Sequence, residues 1–168
     1  MNDLLIINTG GTFNKIYNPI SGELEVDSDG RALESLSCKW LCDEIERINI
    51  IGKDSLEMTN QDRLELLHTI TQTQKRKIIV IHGTDTMHIT AEYLAQSELE
   101  NKQVILTGAM VPYTIDPVEA TANVASAIGF VHANRECGVF VSMNGLIEHY
   151  QNILKDRKAG RFVPKVVK

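Results

Sequence analysis

Two short segments combine threonine, glycine and aspartate in patterns that could support nucleophilic chemistry. Residues 9–12 read TGGT and residues 82–87 read HGTDTM, and each follows a run of apolar residues. A threonine hydroxyl is a weak nucleophile until a base takes its proton, so Thr12 or Thr84 would need a basic partner. Asp85 places a carboxylate between two hydroxyls, and the glycines would let main-chain N–H groups approach a ligand closely. The residue types therefore fit a hydroxyl-nucleophile site.

Each segment also has a purely structural interpretation. Asp85 could cap the helix that follows it, which is the commoner use of an isolated Asp at a helix start. Residues 9–12 could form a plain tight turn. A nucleotide site is weakly supported, because neither a Walker Gly-Lys-Ser/Thr ending nor the G-x-G-x-x-G spacing occurs here.

The elements that would position these residues follow from the apolar pattern. Short runs rich in isoleucine and valine predict buried strands over residues 4–7, 77–81, 103–106 and 139–142. None of these runs alternates polar with apolar residues, so both faces of the sheet should be covered. Helical spacing of apolar residues predicts helices over residues 38–48, 62–72, 90–99 and 119–133.

Strands that alternate with helices predict an α/β fold, a three-layer α/β/α arrangement with a mainly parallel, Rossmann-like sheet. Right-handed crossovers place the carboxyl ends of the parallel strands along one edge, where open α/β sheets bind ligands. The hydroxyls of Thr9, Thr12, Thr84 and Thr86 should therefore converge on one site. Residues 1–168 are predicted to form a single domain.

Residues 13–37 differ from the rest of the chain. They contain the pairs Asn18-Pro19 and Ser21-Gly22 and the run DSDG at residues 27–30, all of which favour turns. A loop of this length within a compact domain usually serves function. Because it directly follows the first glycine turn, we expect a mobile lid over the site.

The motifs resemble those of the bacterial-type L-asparaginase/glutaminase family. Residues 9–13 (TGGTF) are similar to its N-terminal signature, and residues 82–87 (HGTDTM) match its second signature without a gap. Residues 54–59 (DSLEMT) resemble its substrate-binding segment, and residues 107–112 (TGAMVP) resemble the Gly-Ala-Met segment that follows. The four segments occur in the family's order. They cover nearly the whole chain, but only the N-terminal amidase domain of a typical member.

The resemblance implies roles for individual residues. Thr12 matches the nucleophile that attacks the side-chain amide carbon, and Thr84 matches the threonine of a second set that includes Asp85 and a lysine. The reaction expected is hydrolysis of L-asparagine to L-aspartate and ammonia, without a metal or a cofactor. Substrate-binding positions are carried over to six residues, namely Gly11, Tyr17, Ser55, Glu57, Gly83 and Ala109.

Three of these assignments remain open at the level of sequence. Lys155 is preferred as the lysine because it follows the fourth predicted strand, with Lys158 as its competitor. Tyr17 either serves the lid or packs to anchor it. Glu57 stands where the family usually has aspartate, which moves the charge by one methylene.

The composition of the chain bears on which partners it could bind and where in the cell it would be found. The net charge of −5 argues against a nucleic-acid partner, which would require a basic face. No apolar run approaches the ~18 residues of a membrane helix, and the N-terminus does not read as a secretion signal, so we expect a cytoplasmic protein. Three cysteines are too few and too irregular for a disulfide framework. Cys38 and Cys42 are predicted to be buried thiols, and Trp40 is predicted to be a core residue.

The family's second domain, which supplies some substrate contacts from a neighbouring subunit, has no counterpart in this sequence. We therefore expect a homodimer or a higher homo-oligomer. Two alternatives to asparagine hydrolysis stay open. The chain could be a weak or inactive module that binds an amino acid, or it could hydrolyse another small amide.

Overall fold

The computed structural model describes residues 3–41, 45–99 and 101–166. Within them, six strands form one sheet in the order β4-β1-β5-β6-β7-β8. These strands are β1 (Leu4–Gly10), β4 (Glu46–Lys53), β5 (Lys77–Ile81), β6 (Gln103–Thr107), β7 (Gly138–Met143) and β8 (Leu146–His149). All neighbours pair in parallel except β8, which runs antiparallel to β7. The predicted mainly parallel sheet and its four apolar strands are confirmed.

Helices cover both faces of this sheet. They are α1 (Arg31–Trp40), α2 (Asn60–Gln72), α3 (Met87–Ala95) and α4 (Pro117–Ala133). Side chains of α1 and α4 pack with Ile6, Ile79 and Ile105 on one face. Side chains of α2 and α3 pack with Ile7 and Val80 on the other. The sheet is therefore apolar on both faces, as the non-alternating strand sequences predict, and the three-layer α/β/α architecture is confirmed.

Side-chain caps fix where two of the helices begin. Thr59 and Asp62 form a reciprocal capping box at the start of α2. Asp116 accepts a hydrogen bond from the Val118 N–H, and Pro117 occupies the first position of α4, where its missing N–H costs no helical hydrogen bond.

The helix predicted over residues 38–48 is wrong. Helix α1 lies earlier and ends at Trp40, and β4 begins at Glu46. The isoleucines of β4 are spaced for both periods, but β-branched residues at a sheet edge favour the strand. Trp40 is 69% exposed and Cys38 is also exposed, so neither is the core residue that the helix would have required. Cys42 lies outside the described residues.

The long lid loop predicted over residues 13–37 is also wrong in its structure. Strands β2 (Lys15–Asn18) and β3 (Glu23–Val26) form an antiparallel hairpin, and α1 follows from Arg31. The turn-forming residues at 18–22 connect the two strands of the hairpin, and those at 27–30 directly precede helix α1. Four-residue strands are too short for alternation to be visible in the sequence. A second hairpin, β9 (Ile153–Asp156) with β10 (Arg161–Pro164), was not predicted either.

Candidate active site

Three turns meet at the carboxyl ends of β1 and β5 with no space between their backbones. A Cβ built on Gly11 would lie 2.4 Å from the Gly83 Cα, and a Cβ built on Gly83 would lie 2.5 Å from the Ser55 Cβ. Gly11 also has φ of +75°, which other residues rarely adopt. Glycine is therefore required at both positions for the turns that carry Thr12, Thr84 and Ser55 to touch.

A lysine joins the hydroxyl and the carboxylate of the second motif. Lys155 Nζ donates to Thr84 Oγ1 at 2.8 Å and to Asp85 Oδ1 at 2.9 Å. The hydrogen bond from Lys155 is the main reason why the pKa of Asp85 lies below its ordinary value. Asp85 is therefore an anion at neutral pH. Strand β9 supplies Lys155, whereas Lys158 lies in the turn that follows, where its N–H bonds Asp156.

Thr12 begins a 3₁₀ turn, Thr12–Asn14, directly after Gly11. Its side chain is half-buried. In the part of the chain that the structure describes, the Thr12 hydroxyl has no hydrogen-bond partner. Since Gly11 and Gly83 are in backbone contact, Thr12 and Thr84 follow on adjoining turns. The hydroxyl is thus available to a ligand beside the Thr84–Lys155–Asp85 group.

Ser55 is held rigidly against the second motif. Its hydroxyl accepts from the Thr86 N–H at 3.3 Å, and the Thr86 hydroxyl donates to the Ser55 carbonyl at 2.8 Å. Ser55 is buried in a 3₁₀ turn, Ser55–Glu57, that Asp54 caps through the Leu56 N–H. The side chain of Ser55 therefore has a fixed position at the contact with Gly83.

Three other predicted residues form no side-chain hydrogen bond with these groups in the part of the chain that the structure describes. Glu57 and Tyr17 are exposed, and Tyr17, at 64%, is too exposed to pack as an anchor. Ala109 is fully buried among apolar side chains, so its methyl group faces the core and only its main chain could reach a ligand. Glu119 fixes that main chain by accepting from the N–H of Met110 at 2.9 Å.

The hairpin that carries Tyr17 is tied to the site. Lys15 forms an ion pair of 2.7 Å with Asp54, the residue before Ser55. Partial burial acts to raise the pKa of Asp54, but the hydrogen bonds from Lys15 and from the Leu56 N–H outweigh burial and lower it. The Lys15 carbonyl also accepts from the Thr114 hydroxyl. The β2–β3 hairpin is thus fixed at its base, next to Ser55.

Arg157 was not predicted as a site residue, yet it contacts Asp85. Its Nη1 donates to Asp85 Oδ1 at 2.7 Å, and its Nη2 donates to the Asp85 carbonyl at 3.4 Å. The signal in the sequence is its position two residues after Lys155, in the turn that directly follows β9.

A buried hydrogen-bonded chain lies behind the second motif. His82 Nδ1 lies 2.7 Å from the Gly83 carbonyl, which can only accept, so Nδ1 carries the proton. His82 Nε2 then accepts from the Thr90 hydroxyl at 2.8 Å, and Thr90 Oγ1 accepts from Arg63 Nε at 3.0 Å. The pKa of His82 is lowered to about 4, mainly by burial; the hydrogen bond to the Gly83 carbonyl acts to raise it, and the charge of Arg63 acts to lower it. A neutral His82 therefore fixes the peptide between Gly83 and Thr84.

A cavity of about 330 Å³ adjoins the site at Asp85 and Lys155. Its walls include Asp85, His88, Tyr150, Lys155 and Arg157, and they do not include Thr12. Among the described residues, no cluster of three or more His, Cys, Asp or Glu could hold a metal ion. No helix in that part of the chain is long and apolar enough to span a membrane.

Comparison with known proteins shows where these motifs belong. A family model described as "Asparaginase, N-terminal" matches residues 3–159. The chain is 25% identical over 169 residues to a glutaminase-asparaginase from Acinetobacter glutaminasificans, which covers 92% of this chain and 50% of that protein. It is 29% identical over 167 residues to a probable periplasmic L-asparaginase from Haemophilus influenzae, with 91% and 46% covered.

A solved structure has the same fold. The thermostable L-asparaginase from Thermococcus kodakarensis matches with a TM-score of 0.79 and 24% identity, over 96% of this chain and 50% of that chain. The chain thus spans about half the length of the relatives that it matches. Its family match, however, extends over nearly all of its own length. The chain therefore belongs to the asparaginase family and corresponds to the N-terminal domain of its members.

Proposed function

We propose that this chain is an amidohydrolase that converts L-asparagine to L-aspartate and ammonia through Thr12. One observation carries the proposal. Lys155 is within hydrogen-bond distance of both Thr84 and Asp85. These two residues follow Gly83, and Gly83 is in contact with Gly11, the residue before Thr12. A hydroxyl nucleophile needs basic and charged groups nearby, and this arrangement supplies them.

In the proposed mechanism, the Thr12 hydroxyl attacks the side-chain amide carbon and forms an acyl-enzyme, which water then hydrolyses. The Thr84–Lys155–Asp85 group moves protons between the nucleophile, the leaving ammonia and the water. Main-chain N–H groups of the glycine turn that carries Thr84 stabilise the oxyanion. Each such donor typically contributes ~3 kcal/mol.

The amino-acid part of the substrate would lie along the second motif. Asp85 is anionic and half-exposed, so it suits the α-ammonium group. The rigid Ser55 suits the α-carboxylate. Tyr17 would act from the hairpin and Ala109 through its main chain. Glu57 would need to reach in from an exposed position, and its role rests on the family resemblance alone.

The assembly and the location are also proposals. We infer a homodimer or a higher homo-oligomer, since in members of the family one subunit contributes substrate contacts to the site of its neighbour. We infer the cytoplasm because Cys38 and Cys137 are free, exposed thiols, which persist in a reducing compartment. Light scattering of the purified protein and fractionation of its native cells test these two points.

The first experiment incubates the wild-type chain with L-asparagine and, separately, with L-glutamine, and measures the ammonia released. Thermal unfolding is recorded with each amino acid present. Ammonia release from L-asparagine supports the proposal. A preference for L-glutamine would mean that the chain is an amidohydrolase with a different amide as its substrate.

The second candidate, a binding module, is favoured by the Thr12 hydroxyl, which contacts no base in the described residues. This candidate predicts a higher unfolding temperature with L-asparagine and no ammonia. That pair of results would reject the hydrolase.

A further inference from the structure

Asp85 is shared by two cations. Lys155 and Arg157 both donate to the same carboxylate oxygen, Asp85 Oδ1, at 2.9 and 2.7 Å. The three side chains together carry a net charge of about +1 at neutral pH, from the ordinary charge states of these side chains. A site made for an α-ammonium group alone would not hold its carboxylate under two positive charges. The surplus charge indicates that an anionic group also binds here.

The two cations differ in how free they are to leave Asp85. The Lys155 side chain is 14% exposed and also donates to the buried Thr84. The Arg157 side chain is 65% exposed, and the only other contact of its guanidinium in the described structure is the 3.4 Å bond to the Asp85 carbonyl. Arg157 is therefore the cation that can exchange partners.

The backbone beneath Arg157 is nevertheless fixed. Asp156 Oδ1 accepts from the N–H groups of Lys158 and Ala159 at 2.9 and 3.0 Å, which holds the turn of the β9–β10 hairpin. A guanidinium presents planar, paired donors that match a carboxylate. The side chain can therefore move while its origin stays beside Asp85.

We propose that Arg157 is a specificity-determining residue that binds the α-carboxylate of the amino-acid substrate. In the free protein Arg157 and Asp85 pair with each other. The zwitterionic head of the substrate replaces that pair, with its ammonium on Asp85 and its carboxylate on Arg157. This inference rests on the proposed function, and it supplies the basic half of a recognition site whose acidic half is Asp85.

Arg157→Ala and Arg157→Lys test the exchange, with Arg161→Ala as the matched control. Arg161 is an exposed arginine of the same hairpin, and no contact of its side chain with the site is present in the described structure. The two substrates are L-asparagine and its α-methyl ester, which lacks the carboxylate charge.

We expect Arg157→Ala to raise the KM for L-asparagine by about 10- to 100-fold, the effect of losing charge-assisted hydrogen bonds, with kcat changed less than about threefold. Arg157→Lys should recover part of the loss. The KM for the ester should not change, and Arg161→Ala should behave as wild type. An unchanged or lowered KM for L-asparagine in Arg157→Ala, or an equal loss with the ester, would overturn the proposal.

Calorimetric titration separates this inference from the proposed hydrolysis. If the wild type releases no ammonia but binds L-asparagine, and Arg157→Ala weakens that binding and not binding of the ester, the hydrolase fails while the role of Arg157 stands. If the wild type hydrolyses L-asparagine with a KM that Arg157→Ala leaves unchanged, the hydrolase stands and the role of Arg157 fails. A wild type that neither binds nor turns over L-asparagine rejects both.

Discussion

Lys155 and Lys158 lie three residues apart, and the fold separates their surroundings completely. Lys155 lies on β9 and its ammonium group reaches Thr84 and Asp85. Lys158 lies in the turn after β9 and is exposed. The sequence left open whether Lys155 or Lys158 is the lysine of the site. In the structure, it is the ammonium group of Lys155 that contacts Thr84 and Asp85.

Substitution of the two lysines distinguishes their roles. We expect Lys155→Met to lower kcat for ammonia release from L-asparagine by about 100-fold or more, since general acid–base groups contribute about 10²- to 10⁴-fold. Lys158→Met should stay within about twofold of wild type. Equal losses in the two variants would show that positive charge in the hairpin, and not the contact with Thr84, is what matters.

His82 predicts how stability depends on pH. Its pKa is about 4 in the folded protein and 6.5 is its ordinary value, so between these values the unfolded chain binds a proton that the folded chain refuses. This term stabilises the fold fully above pH 6.5 and is lost as pH falls toward 4. From pH 7 to pH 4.5 we expect the free energy of unfolding to fall by about 2–3 kcal/mol.

Urea unfolding at pH 7, 5.5 and 4.5 measures this slope. It should disappear in His82→Gln and persist in His132→Gln, which replaces an exposed histidine. A slope that survives in His82→Gln would contradict the assignment. Asp85 acts in the same direction but at lower pH, because its folded pKa lies below its ordinary value of 3.8 and its stabilising contribution is lost only as pH falls below that range.

Single residues were predictable where a motif defines them and not where the fold brings distant side chains together. Thr84 and Asp85 stand side by side in the sequence, so their proximity needed no structure. Arg63 and Arg157 were missed because charged side chains are usually solvated, and their partners lie 27 and 72 residues away. Glu57 was carried over by resemblance, and its side chain is exposed.

At the scale of elements, the site depends on two strand-end turns that are in backbone contact. Gly11 and Gly22 have the same φ of +75°, but only Gly11 faces a neighbour, since nothing lies within 4 Å of a Cβ built on Gly22. The pair of glycines therefore separates the cost of backbone strain from the cost of the contact between turns.

We expect Gly22→Ala to lower the free energy of unfolding by about 1–2 kcal/mol, the cost of a left-handed conformation. Gly11→Ala should cost about 1–3 kcal/mol more because its methyl group would overlap Gly83. Urea unfolding of both variants checks this, and ammonia release should fall only in Gly11→Ala. Equal effects in the two variants would mean that the contact between the turns is not tight.

Buried strands were the elements that the sequence predicted best. Strands β1, β5, β6 and β7 are covered on both faces, and each contains a short continuous apolar run rich in isoleucine, leucine or valine, which is the pattern of a buried strand. Strand β4 is at the edge and is only half-buried, and its isoleucines fitted a helix equally well. The two hairpins have four-residue strands whose pairing is decided by their contacts, which the local sequence does not reveal.

At the scale of the whole molecule, the chain contains each group that the proposed chemistry requires. Thr12 follows strand β1, Thr84 and Asp85 follow strand β5, and Lys155 lies on strand β9, near the end of the chain. The family match covers residues 3–159, while the relatives are about twice as long. The central claim is therefore that the half represented by this chain carries the amidase chemistry.

The most direct test measures ammonia release from L-asparagine by the purified 168-residue chain, with Thr12→Ala and Thr12→Ser assayed beside it. The predicted result is activity in the wild type, loss of about 10³-fold or more in Thr12→Ala, as for removal of a catalytic nucleophile, and partial activity in Thr12→Ser, which keeps the hydroxyl. Ammonia release that persists in Thr12→Ala would contradict the account, as would a wild type that binds L-asparagine without releasing ammonia.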